Sequence, residues 1–250
     1  MFARKWSLIR RELAQFFPPA CAGCDGVAPT NQAFCAICYP LAYRLMPPHC
    51  ARCQVPMAQL GTPGDTNSEC SRCHRNRPSF EKVWALWEYD DAVADAIRRI
   101  KYGGDLAALR ALCRGARPWF QHRLEALDED IPLVAMPSHG RELRRRGFHV
   151  PSLALTMLCD RHRRHRIAGG LTKNRPTVRQ ASLSFEGRRK NVRGVFSYTG
   201  SQNATGPIIL FDDVVTTGAT ADAASEVLID AGFDEVYVIC LARAPVFRPS

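Results

Sequence analysis

No stretch of this chain approaches the ~18–20 consecutive apolar residues that a transmembrane helix needs, so no membrane span is expected. An uninterrupted apolar leader is missing too. Arg4, Lys5, Arg10, Arg11 and Glu12 break up the first seventeen residues, which argues against a secretory signal and sets the expectation of a cytoplasmic protein. Acidic residues are scarce in one place. Between His139 and Arg193 stand 3 Asp/Glu against 15 Lys/Arg, a net of +12 in a chain whose total is +10. So local a shortage leaves a segment that attracts polyanions such as pyrophosphate, nucleotides or nucleic acid; a plain solvated face is the alternative. Cys113, Cys159 and Cys240 stand alone, and none has the surroundings of a nucleophile.

What is present is a folded, soluble composition. The 250 residues are 46% hydrophobic and 23% charged, enough for one or two domains with a sizeable core. Trp6, Ile9, Leu13 and Phe16 recur at helical spacing, which predicts an amphipathic helix over 1–17 that docks on the body.

Eight of the 11 cysteines form four C-x-x-C pairs: Cys21/Cys24, Cys35/Cys38, Cys50/Cys53 and Cys70/Cys73. Each turn lets two thiolates face one tetrahedral metal, and two turns complete a closed four-thiolate zinc site. Disulfides are the rival, but a cytosolic chain keeps its thiols reduced. Two structural Zn²⁺ are therefore expected, with folding rather than catalytic roles. Sequential pairing of the knuckles closes the shorter loops; a cross-braced pairing is the alternative. His74, next to Cys73, could replace a ligand, but four paired cysteines need no histidine. The expected organisation is a helix over 1–17, a double zinc-ribbon domain over 18–80 and an α/β domain over 81–250.

In the last part, strand and helix patterns alternate. Strands are expected at 82–87, 131–136, 195–198, 208–211 and 235–241. Helices are expected at 91–100 and 219–231, over 106–127 with a break near Gly115 or Pro118, and through the arginine-crowded 141–163. Alternation of this kind implies a mostly parallel sheet. Residues 172–193 show no period and are expected as a loop or β-excursion.

The most informative stretch is Ile208-Ile209-Leu210-Phe211-Asp212-Asp213-Val214-Val215-Thr216-Thr217-Gly218-Ala219-Thr220. A short apolar strand ends on two carboxylates, and a small-residue loop then opens a helix. Ligands of open α/β sheets bind outside the carboxyl ends of the strands. The loop offers N–H groups, hydroxyls and a helix dipole to a phosphate. Acids beside such a cradle suggest a sugar phosphate, with hydroxyls for Asp212 and Asp213 and the phosphate for Thr216, Thr217, Gly218, Ala219 and Thr220. An incidental acidic pair in an ordinary strand-turn-helix is the bland alternative. The stretch closely resembles the ribose-phosphate motif of the type I phosphoribosyltransferases, with Ala219 where many members carry Gly or Ser.

Three further stretches sharpen the resemblance: Lys101-Tyr102-Gly103-Gly104-Asp105, Pro137 through Arg146-Gly147-Phe148-His149, and Arg175 to Leu183 with Arg188, Arg189, Asn191, Val192 and Phe196. With the cysteine-rich start, the chain resembles the ComF family, a double zinc ribbon joined to a phosphoribosyltransferase domain and associated with DNA uptake in competence. That resemblance implies 5-phosphoribosyl 1-pyrophosphate as donor. Asp212 and Asp213 would face the ribose hydroxyls, directly or through Mg²⁺. It implies pyrophosphate held by the Pro137–Gly147 segment, Arg146 included, with Lys173, Arg175 and Arg189 closing over the site. Single-stranded DNA and other competence proteins are the candidate partners. A non-catalytic nucleic-acid handling factor on the same fold is the competing reading. His149 stands where the family usually has Asn, and Val150 where it has Gln, so the acceptor's identity stays open.

Overall fold

The computed structural model describes residues 18–57, 68–127, 131–159, 167–175, 194–200 and 204–245. The expected helix over 1–17, Arg189 and most of the basic stretch after Arg175 lie outside the described residues.

Four strands form a parallel sheet: β1 (Lys82–Glu88), β2 (Leu133–Ala135), β5 (Pro207–Val215) and β6 (Glu235–Arg243), in the order β1-β6-β5-β2. A separate antiparallel pair joins β3 (Leu171–Lys173) to β4 (Phe196–Tyr198). Residues Ile208 to Phe211 are fully buried, as expected of a central strand covered on both faces. Their side chains alternate between two apolar clusters. Ile209 and Phe211 join one, with residues of α2 (Asp91–Arg98), α3 (Leu106–Glu125) and α5 (Val150–Leu158). Ile208 and Leu210 join the other, with residues of α6 (Ala219–Asp230).

Several elements differ from the sequence expectation. The strand expected over 208–211 runs on to Val215, paired through Asp212↔Cys240 and Val214↔Ala242. Both acids therefore belong to the strand's last turn of ladder rather than to a loop beyond it. No break occurs at Gly115 or Pro118; α3 is continuous, with Pro118 inside it. One lost N–H there is outweighed by packing of the flanking turns, which bury Cys113, Ala116 and Phe120. The stretch 141–163 is not one helix. Gly147, left-handed at φ +80°, separates α4 (Gly140–Arg146) from α5, a backbone state that glycine adopts without a Cβ penalty. Helix α2 ends two residues early and widens into a single π-turn, Arg99–Gly103, closed by left-handed Gly104. Such turns expose and re-aim side chains, often at functional sites.

The two cysteine modules have no separate cores. The first, around Cys21–Cys38, shares the cluster with α3, and the second, around Cys50–Cys73 and containing the short α1 (Ser71–Arg75), shares the cluster with β1 and α6. The second also covers the free edge of β1, where Val83 N–H donates to the Arg52 carbonyl and Leu45 N–H to the Leu86 carbonyl, so that edge offers no template for further pairing. The first is fastened by Arg114, which donates to the carbonyls of Gln32 and Ala20.

Gly115 is where α3 meets the first module: a Cβ there would lie 2.6 Å from the Ala33 nitrogen. Backbone cannot yield as a flexible side chain does, so Gly115→Val should cost about 1–3 kcal/mol, read as a lower urea midpoint at an unchanged slope.

Candidate functional site

The four C-x-x-C turns pair sequentially. Sulfurs of Cys21, Cys24, Cys35 and Cys38 gather within 4.8 Å of one another, as do those of Cys50, Cys53, Cys70 and Cys73. The Cys24–Cys35 and Cys53–Cys70 sulfur separations are 3.7 and 3.8 Å. A tetrahedron with Zn–S bonds of ~2.3 Å has an edge of about 3.8 Å, so both groups fit Zn²⁺ closed by four thiolates. His74 is exposed and outside the second group.

The two modules repeat one design. Cys35 N–H points at the Cys21 sulfur and Cys70 N–H at the Cys50 sulfur, both at 3.2 Å. Asp25 and Gln54, each just after its turn, take positive φ values of 61° and 55°. These N–H···S bonds stabilise thiolate charge as the metal's outer shell. With no open coordination position, the centres shape the protein rather than perform chemistry.

The lone thiols are of another kind. Burial pushes Cys113 and Cys240 up to about 12 and Cys159 up to about 11, leaving them as inert core thiols.

At the carboxyl end of β5 the two acids part company. Asp213 is 4% exposed and forms an ion pair with Lys101, Nζ to Oδ1 at 2.7 Å. Asp212 is half-buried, and its carboxylate accepts from the Asp213 N–H at 2.8 Å. Burial and the Asp213 charge push Asp212 up to about 8, against the pull of Lys101. Burial works against the Lys101 ammonium, but Asp213 and Asp212 outweigh it and raise its pKa. One lysine thus serves two acids, and Asp212, outside the ion pair, can take up a cation that displaces its proton, or a donor hydroxyl.

The loop after β5 turns at Gly218, left-handed at φ +83° and the N-cap of α6. Thr217 and Ala219 are buried, Thr220 is half-buried and Thr216 is exposed. The Thr217 hydroxyl accepts from the Ala219 N–H at 3.4 Å. Asp212, Thr216, Gly218 and Thr220 line a niche of about 30 Å³ at the end of the strand. Asp212 and the candidate phosphate loop therefore share one wall.

Lys101 also links this wall to the basic segment. Its carbonyl accepts from Arg146 Nε at 3.0 Å, and Lys101 to Gly104 with Arg145 and Arg146 line a cleft of about 260 Å³. Lys173 approaches the same segment from β3, its Nζ 3.9 Å from Glu142. Arg175 is exposed at the end of the described stretch. His149 caps α5, with Nδ1 2.7 Å from the Ser152 hydroxyl. Burial pushes its imidazole down, opposed by a bond to Met136 and by the Asp213 charge. In the sequence Lys101 stands only as part of a motif, and His149 only as a departure from one. The ion pair that makes Lys101 part of the site spans 112 positions of sequence, and no local pattern reports it.

No protein-family model matches the chain. Among curated proteins, Competence protein F of Haemophilus influenzae is 28% identical over 78% of this chain and 90% of its own length. DNA utilization protein YhgH of Salmonella typhimurium is 25% identical over 87% of this chain and 93% of its own, and that of Escherichia coli K12 is 26% identical over 84% and 89%. These relatives, with the paired cysteine groups, bear out the ComF resemblance. Among the described residues no helix is long and apolar enough to cross a membrane.

Two ions per chain follow from the two groups. Cys70→Ala should reduce the bound zinc from two ions to one by elemental analysis, with a lower thermal midpoint.

Proposed function

We propose that this chain binds 5-phosphoribosyl 1-pyrophosphate with Mg²⁺ at the carboxyl ends of β5 and β2, and that it serves DNA uptake or processing in natural competence. The observation that carries the reading is Asp212 and the Gly218 loop lining a single niche, with Asp213 beside Asp212 near the end of the same strand. The names of the relatives, which speak of competence and DNA utilization, supply the biological setting.

Hard oxygen donors suit Mg²⁺, and Asp212, with less compensation than Asp213, is the residue that would hold it. Bound there, the ion would supply charge neutralisation for the diphosphate. Asp213, fixed by Lys101, would orient a ribose hydroxyl. Thr216, Thr217 and Thr220 with the first amides of α6 would hold the 5-phosphate. Cleavage of the C1–oxygen bond leaves positive charge on the ribose and negative charge on pyrophosphate. Arg145, Arg146 and Lys173 would stabilise that negative charge, and Arg175 and Arg189 would help exclude water. The acceptor would be a nitrogen nucleophile.

Titration calorimetry of the zinc-loaded chain with the donor and Mg²⁺ tests this. Asp212→Asn should weaken binding about tenfold or more, the loss expected of a charge-assisted contact. Asp213→Asn is the less clean variant, because it strands Lys101. Asp212 is largely protonated below its pKa of about 8, so binding must displace a proton. Affinity should therefore rise with pH toward 8 and level off above it, and Asp212→Asn should flatten that profile. No binding by the intact chain would overturn the reading.

A second reading, a non-catalytic factor handling single-stranded DNA, is favoured by the +12 segment and by the relatives' names. It expects DNA binding at ~50 mM salt that falls by orders of magnitude toward ~200 mM; absence of binding at the lower salt counts against it.

A further inference from the structure

Arg243, the last residue of β6, is fully buried. Among the described residues its recorded partners are main-chain carbonyls alone. Nε donates to Cys53 at 2.9 Å, and Nη1 donates to Val215 at 3.1 Å, to Ala244 at 2.8 Å and to Thr216. A buried guanidinium ordinarily faces a carboxylate. Here a main-chain carbonyl of the second cysteine group, that of Cys53, takes the Nε–H instead, and the buried Nη2 has no hydrogen-bond partner among the described residues. One fork of the side chain thus holds the metal-binding knuckle at Cys53, and the other holds the entry of the loop at Val215 and Thr216.

The contact surface continues past Arg243. Cys53, Cys73, Phe80, Thr217, Gly218 and Asp222 line one common crevice. Ser79 N–H donates to the Asp222 carboxylate at 2.7 Å, and Arg52 Nη1 to the Phe80 carbonyl at 3.0 Å. A Cβ on Gly218 would lie 3.6 Å from the Phe80 ring. Among the described residues the first cysteine group has no such contact with the loop; it packs against α3 on the other face.

We infer that the second cysteine centre is the support on which the Val215–Thr220 loop is built, and that Arg243 is the positioning residue coupling them, so that loss of metal from that centre alone loosens the anion loop. The coupling follows from the hydrogen bonds. A metal would fix the Cys53 turn whose carbonyl takes Nε, and the same guanidinium holds the Val215 and Thr216 carbonyls. When that turn loosens, Nε loses its acceptor, and the hold on the loop entry loosens with it. Among the described residues the first centre has no such hydrogen bond to the loop, so the two zinc ions have unequal consequences. That the loop holds a phosphate rests on the functional reading above; the coupling itself does not.

Hydrogen exchange by mass spectrometry on the full, zinc-loaded chain tests the coupling without any ligand. Arg243→Lys keeps the charge but cannot span the carbonyls as a fork does, and Arg243→Met removes the charge. Both should speed exchange of peptides covering 215–220 and 50–55 by about tenfold or more, the effect of losing a charged hydrogen bond. Peptides covering 21–38 should be unchanged. Should neither variant fold, stepwise removal of zinc from the wild-type chain gives the same readout. Protection of 215–220 should fall together with that of 50–55 and return when Zn²⁺ is restored. A loop that keeps its protection in the variants, or after the second centre has lost its metal, overturns the inference. Failure of the wild-type chain to bind the donor, with the exchange pattern as expected, would refute the functional reading alone.

Discussion

Two carboxylates on consecutive residues at the end of a buried strand are the constraint around which this structure is arranged. Asp212 and Asp213 repel each other, and little water is near to screen them. A single ammonium, Lys101, answers that charge at 2.7 Å from Asp213. To deliver it, α2 must end early and widen into the Arg99–Gly103 turn. The carbonyl of Lys101 then holds Arg146, which ties the last turn of the otherwise exposed, arginine-rich α4 to the segment that carries the lysine. The site's electrostatics and the local backbone irregularities have one cause.

The cysteine modules extend the same arrangement. Neither has a core of its own, and each shares an apolar cluster on a different face of the sheet. Each is also joined to a site segment by a single arginine. Arg99, next but one to Lys101, donates to the carbonyls of Ala22 and Gly23 in the first module. Arg243 joins the second module to the loop before α6. Carbonyl oxygens of metal-bound turns make rigid acceptors, because the metal fixes the turn that presents them. Small closed metal sites can therefore act at a distance on a segment that no metal touches.

Parts of the site were readable because they are local. The strand-acid-acid-loop-helix order of 208–220 needs only its own residues to be recognised, since one turn and one helix start place all of them. The cysteine spacings likewise announced two four-thiolate groups. Expectation and structure parted where packing overrode a local signal. Pro118 and Gly115 read as breakers, yet α3 runs through both, because Gly115 serves a close approach to Ala33. Conversely, Gly147 ended a helix that the arginine-rich pattern had carried through it, since its left-handed backbone stops the run.

The sequence by itself determined the alternation of strands and helices, the two metal sites and the candidate phosphate loop, all of them features set by residues within about twenty positions of each other. Only the tertiary structure decided which acid is paired and which half-exposed, because Lys101 and Asp213 meet only after the sheet has assembled. It decided which cysteine knuckles pair, and that the second group lies against the loop while the first lies across the sheet. And it gave Arg243 its place. No local pattern in the sequence marks this arginine, and only the folding of Cys53, Val215 and Thr216 around it supplies acceptors for Nε and Nη1 of a fully buried guanidinium.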